Sequence, residues 1–216
     1  MRRIATAAVL MACLPLPAAE PGKTYRFAAS DAGQLPAGWK AAKTGEGTGS
    51  VWKVVADPTA PSKSGYALAQ TAEGPNPFFN LCVAEDSRFK DGTVSVRLKA
   101  VRGKLDQGGG VVWRYKDADN YYVCRYNPLE DNFRVYKVVA GKRIQLGTKE
   151  GLKETPGQWH TVSARMAGDR IECSLDGTKH LEGKVRVGSR SSHFDPRTGG
   201  VLAGCVASRC VPDNHR

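Results

Sequence analysis

Arg114, Tyr121, Arg125, Asn127, Arg134 and Tyr136 fall within one short stretch of the chain. Their types suit the recognition of sugars. Guanidinium forks, phenols and amides supply the donors and acceptors that hydroxyl groups need, and a tyrosine ring offers a flat face on which a pyranose can lie. Four carboxylates and imidazoles near them are candidates for proton transfer: Asp106, Asp119, Glu130 and His160. The three acids lie in turn-like sequence, where carboxylates also serve as turn formers. His160 falls on the apolar side of an alternating run with Val162, Ala164 and Met166, which favours a core or edge role over that of a base.

These residues act together only if short strands bring them to one side of a sheet. Residues 106–139 read as three strands joined by Asp117-Ala118-Asp119-Asn120 and by the turn from Asn127 to Asn132. Pairing Tyr115 with Tyr122 places Val111, Trp113, Tyr115, Tyr122, Cys124 and Tyr126 on a core face. Val112, Arg114, Tyr121, Val123, Arg125 and Asn127 then share the opposite face. Phe133 and Val135 extend the core, which turns Arg134 and Tyr136 to the polar side. The alternative for this face is ordinary ion pairing of its arginines with Glu130, Asp131 or Asp119. Asp117, Asp119 and Asn120 also have the types to ligate calcium, but in the pattern of a plain turn. Spacing suggests no metal cluster, and no cofactor is implied.

The rest of the chain reads the same way. Thr93 to Ala100 alternates apolar and polar residues as a half-buried antiparallel strand does. Comparable runs are Tyr25–Ala28, Val51–Val55, Tyr66–Gln70, Asn80–Ala84, Arg143–Leu146, Trp159–Met166 and Ile171–Leu175. No stretch keeps a helical period over three turns. Many short strands without alternating helices predict an all-β, two-sheet antiparallel sandwich or jelly roll. At 216 residues the chain has room for one such domain with short appendages.

Met1-Arg2-Arg3, the apolar run to Leu16 and Pro17-Ala18-Ala19 read as a secretory leader over residues 1–19, implying a periplasmic or extracellular protein. Leu10-Met11-Ala12-Cys13 resembles a lipobox, so membrane attachment is expected only if Cys13 is lipidated. Loss of the leader leaves Cys82, Cys124, Cys173, Cys205 and Cys210, an odd number. The first three lie in apolar runs and read as buried thiols, with a disulfide among them as the alternative. The net charge of +11 is diluted along the chain. With no basic helix, Cys/His finger or base-stacking motif, it argues against nucleic-acid binding.

The run from Asp106 to Val139, with Gly141-Lys142-Arg143, Gly157-Gln158-Trp159-His160-Thr161 and Asp169 to Gly177, resembles the exported bacterial 3-keto-disaccharide hydrolase domains. The resemblance spans roughly residues 22 to 184. It implies the concanavalin A-like lectin and glucanase fold, a jelly roll with one convex and one concave sheet, and activity on a 3-keto-glycoside. The glutamate pair that flanks an aspartate in the catalytic glucanases of that superfamily is absent. A 3-keto group acidifies the neighbouring C2 proton and permits elimination with a single base, which relaxes the need for two carboxylates. Catalytic residues are therefore left unassigned. A non-catalytic glycan-binding module and a surface adhesion domain stand as alternatives.

The resemblance ends near Lys184. Residues 185–216 contain no Lys and no Glu, against 15 and nine before them. A frameshift is one source of so abrupt a change, and a divergent or disordered tail is the other. The expected division is thus a leader over 1–19, a jelly roll over 20–184 and an atypical tail over 185–216.

Overall fold

The computed structural model describes residues 22–47, 50–72, 79–89, 91–101, 106–153, 155–184 and the backbone of 201–207. The leader, Cys13, Cys210, His193 and His215 lie outside these residues.

Alternation is the local cause of the architecture. In Gly92–Lys99, Val94, Val96 and Leu98 pack on the main core while the residues between them face outward. The strands are β1 (Trp39–Thr44), β2 (Trp52–Ala56), β3 (Tyr66–Gln70), β4 (Phe79–Phe89), β5 (Gly92–Lys99), β6 (Gly109–Asp117) and β7 (Asn120–Asn127). They continue with β8 (Asn132–Val139), β9 (Lys142–Glu150), β10 (Trp159–Ala167), β11 (Arg170–Leu175), β12 (Thr178–Lys184) and β13 (Val201–Ala207). A 3-10 turn spans Ala29–Asp31. The protein is an all-β jelly roll of two main antiparallel sheets.

The larger sheet has the order β1-β4-β13-β6-β7-β8-β9, the smaller β12-β11-β10-β5, and β2 and β3 form a separate ribbon. Between the two main sheets lies the principal core. Val111, Trp113, Tyr122, Cys124, Tyr126, Phe133 and Val135 from the larger sheet meet Val162, Ala164, Met166, Ile171, Cys173 and Leu175 from the smaller. Each large side chain buried there contributes about 1.5–3 kcal/mol of transfer free energy. Cys82, Cys124 and Cys173 are buried, the last two as free thiols. Burial first, and then the neighbouring Cys173 thiol, push the Cys124 thiol well above its ordinary range.

Three differences from the sequence reading have local causes. Tyr25–Ala28 forms no strand: Tyr25 and Phe27 pack on the Trp39 ring at 5.1 and 5.7 Å, and the Tyr25 hydroxyl donates to Asp86 at 2.7 Å. Side chains rather than a backbone ladder hold that segment. β1 and β12 carry weak alternation, and their pairing with β4 and β11 is supplied by the neighbouring strands. β13 comes from the tail. It lies between β4 and β6, pairing with both.

Candidate functional site

The face of the larger sheet turned away from the smaller one carries five of the six residues singled out above. Pairing places them in rungs across β7, β8 and β9. Tyr121 lies opposite Val138 and Val138 opposite Arg143; Val123, Tyr136 and Gln145 form the next rung. Arg125, Arg134 and Thr148 form the third, and Asn127, Asn132 and Glu150 the fourth. Neighbouring strands are about 4.8 Å apart, so these side chains form a grid on one face. Tyr121, Val123, Tyr136 and Val138 of this grid form an apolar cluster with Phe79 and Leu81 of β4 and Val112 of β6.

Arg114 is not on this face. The hairpin pairs Trp113, not Tyr115, with Tyr122, and a bulge follows between Trp113 and Asp117. Arg114 adopts φ +49°, a left-handed conformation uncommon outside glycine, and the bulge re-aims its side chain. Its Nη2 donates to the Gly168 carbonyl at 2.7 Å, and its guanidinium stands 5.9 Å from the centroid of the core residue Tyr122. Tyr115 is carried to the outer face instead, 6.1 Å from the Tyr121 ring.

The other five residues do share the face, held by neighbours. Arg125 Nη2 donates to Glu130 Oε2 at 3.0 Å, and its Nη1 donates to Asn132 Oδ1 at 3.1 Å. Asn132 Nδ2 reaches the same Glu130 oxygen at 3.0 Å, and Arg134 Nη1 approaches it at 3.5 Å. Arg134 Nη2 also donates to Glu150 at 3.3 Å. The turn that presents Glu130 needs Asp131 at φ +50° and an Asn127 side chain that accepts from the Leu129 N–H at 3.0 Å. Asn127 Nδ2 in turn donates to Asp106 at 2.7 Å. The Tyr121 hydroxyl bonds Thr44 Oγ1 at 2.6 Å, and Arg125 lies 5.9 Å from the Tyr136 ring centroid.

Electrostatics follow from this wiring. Partial burial acts to raise the Glu130 pKa, but hydrogen bonds from Asn132 and Arg125, with the charges of Arg125 and Arg134, hold it below its ordinary value. Burial raises the Tyr121 phenol. Accessibility is uneven. The Arg125 side chain is 6% exposed and that of Arg134 27%, with Glu130 at 37% and Glu150 at 55%. Tyr121, Asn127 and Tyr136 are buried. Solvent therefore reaches the grid along β8 and β9, at Arg134, Arg143, Gln145 and Thr148.

Arg143, Gln145 and Thr148 were missed as site residues, although their signal was in the sequence. Ile144 and Leu146 alternate with Arg143 and Gln145, so the polar pair belongs to the opposite side of that strand.

The remaining candidates sit elsewhere. His160 is buried on β10; its Nδ1 contacts Asp176 at 2.7 Å, and its ring meets Tyr126 edge-on at 5.5 Å. It belongs to the interior between the sheets. Asp117 is occupied by its own turn, accepting from the Asp119 N–H at 2.9 Å and Asn120 Nδ2 at 2.8 Å. Asp119 lies in that turn, where its carbonyl accepts from the Gly141 N–H at 3.0 Å.

Neither the family models nor the curated proteins return a match to this chain. Solved structures do. The carbohydrate binding module CBM66 from Bacillus subtilis aligns with a TM-score of 0.54 at 16% identity, covering 80% of this chain and 92% of that one. A Bacillus licheniformis beta-glucanase aligns at 0.43 and 13%, covering 86% and 90%. A non-specific endo-beta-1,3(4)-glucanase from family GH16 aligns at 0.44 and 14%, covering 74% and 62%. At that identity the likeness to the carbohydrate binding module is one of fold: both chains are two-sheet β jelly rolls.

Proposed function

We propose that the protein recognises carbohydrate on the outer face of its larger sheet, along β7, β8 and β9, as a glycan-binding module. The observation that carries this reading is the prearranged network in which Glu130 fixes Arg125, Asn132 and Arg134 side by side beside Tyr136. Donors already held in place lose little conformational freedom when a ligand binds. The fold it shares with CBM66 supports the reading by analogy. The sequence-based expectation of export fits a ligand met outside the cytoplasm.

The same network disfavours the hydrolytic alternative. A glycosidase acid needs a raised pKa, and Glu130 is shifted downward by its partners. Asp106 is engaged by Asn127 and by the Gly108 N–H at 2.7 Å. Elimination from a 3-keto-glycoside asks only for one base, and Glu130 and Glu150 are accessible carboxylates on the face.

NMR of the protein with glucosides, disaccharides and their 3-keto derivatives reads both channels at once. Binding without turnover is expected, with shifts concentrated on β8 and β9. Arg134→Ala should weaken binding about tenfold, the loss expected for a charge-assisted hydrogen bond, while leaving the melting temperature within a few degrees. Disappearance of a 3-keto sugar would replace recognition by catalysis. Absence of shifts with every sugar would overturn both.

A further inference from the structure

Three arginines occupy the grid on β7, β8 and β9, and their charges are treated differently. Arg125 is neutralised by Glu130, and Arg134 is shared between Glu130 and Glu150. Arg143 has no acidic partner within ion-pair distance among the described residues, and its guanidinium lies over the Phe79 ring at 3.7 Å from the centroid. The ring holds the guanidinium in place by a cation–π contact without discharging it.

Burial lowers the Arg143 pKa, Tyr121 and Tyr136 act to raise it, the Arg125 charge lowers it further and Asp106 acts to raise it. The residue nonetheless remains open to solvent, as does Gln145 two positions along the same strand. Both point to one face, about 7 Å apart along the strand. From backbone positions about 7 Å apart, the two long side chains can converge on an anionic group and an adjacent hydroxyl of one sugar ring.

We propose that Arg143 is a specificity residue for an acidic sugar, pairing its planar guanidinium with the carboxylate of a uronic acid while Gln145 contacts a neighbouring hydroxyl. A guanidinium matches a carboxylate through two parallel N–H donors, and the pairing is strengthened where water is partly excluded. The assignment rests on the carbohydrate reading of this face. It adds the class of sugar.

The test is calorimetry of the full chain with a glucuronosyl disaccharide, its glucosyl counterpart of the same linkage and the 6-sulfated glucosyl form. The wild-type protein should prefer the glucuronosyl sugar by about tenfold or more, and that preference should shrink as salt rises from 0.05 to about 0.5 M. Arg143→Gln should abolish the preference, bringing the affinity for the glucuronosyl sugar down to that for the glucosyl one, and Arg143→Lys should restore only part of it. Equal preference for the sulfated form would make the subsite a general anion site rather than a carboxylate site, overturning the uronic-acid assignment. Binding of the neutral sugar with no uronate preference, or a preference unchanged in Arg143→Gln, would overturn the role of Arg143 and leave carbohydrate recognition standing. Failure to bind any of the three would sink both.

Discussion

Replacing Glu130 by alanine is expected to cost about 3 kcal/mol of stability, far more than a surface carboxylate ordinarily would. Arg125 is the reason. Its side chain is only 6% exposed, and Glu130 is its ion-pair partner. Removing that carboxylate leaves a buried guanidinium without a counter-charge, and Asn132 and Arg134 lose the same acceptor. Urea unfolding followed by tryptophan fluorescence would measure the loss. A change below about 0.5 kcal/mol would mean that the network does not hold the face together. Arg125→Ala should cost less, because the partly exposed Glu130 can be hydrated once its partner is gone. The pH dependence has a definite sign. The folded-state pKa of Glu130 lies below its ordinary value of 4.5, so its contribution is complete above that value and fades as pH falls through the folded pKa. Glu130→Gln should remove that part of the acid limb below about pH 4.5.

Gly110→Ala is expected to destabilise the protein by about 3 kcal/mol or more, enough to leave little soluble native material. A Cβ at that position would lie 2.0 Å from the Cys124 carbonyl oxygen and 2.8 Å from the Arg125 Cα. Both are backbone atoms of the paired strand, so no side chain can rotate away. β6 and β7 would have to separate at the rung where Gly110 faces Arg125. Gly183→Ala is the control, since nothing lies within 4 Å of its added Cβ. Equal melting temperatures for the two variants would show that the β6–β7 contact is more yielding than its geometry implies.

The sheet-forming parts of the sequence announced themselves where polar and apolar residues alternate strictly. β5 follows that pattern, β6 to β8 announced themselves instead as aromatic and β-branched runs between turn residues, and the assignment of Trp113, Tyr122, Cys124, Tyr126, Phe133 and Val135 to the core agrees with their packing. What the pattern does not encode is a bulge at an ordinary residue. Arg114 has no glycine or proline to mark its left-handed backbone, so alternation carried it to the wrong face and placed Tyr115 in the core. The site was legible in kind but less so in accessibility. Arginine, amide and tyrosine on neighbouring strands pointed to the right sheet, whereas the burial of Tyr121, Asn127 and Tyr136 depends on tertiary packing that no local pattern carries. Glu130 was foreseen both as a turn acid and as an arginine partner, and it serves as both.

The placement of β13 constrains the order in which this protein can assemble. Strands β6 to β9 form a series of hairpins whose contacts are local, and such units close quickly. β1 pairs with β4 early in the chain. Among the described strands, the backbone ladders of the two halves of the larger sheet are joined by β13, whose partners Asn80 to Phe89 and Gly109 to Tyr115 lie roughly a hundred residues upstream. Until residues 201–207 arrive, β4 and β6 each present an unpaired edge toward the gap. Synthesis and folding are therefore coupled at β13: a nascent chain holds two preformed half-sheets with a slot between them, and any competing strand that reaches the slot first becomes a route to aggregation.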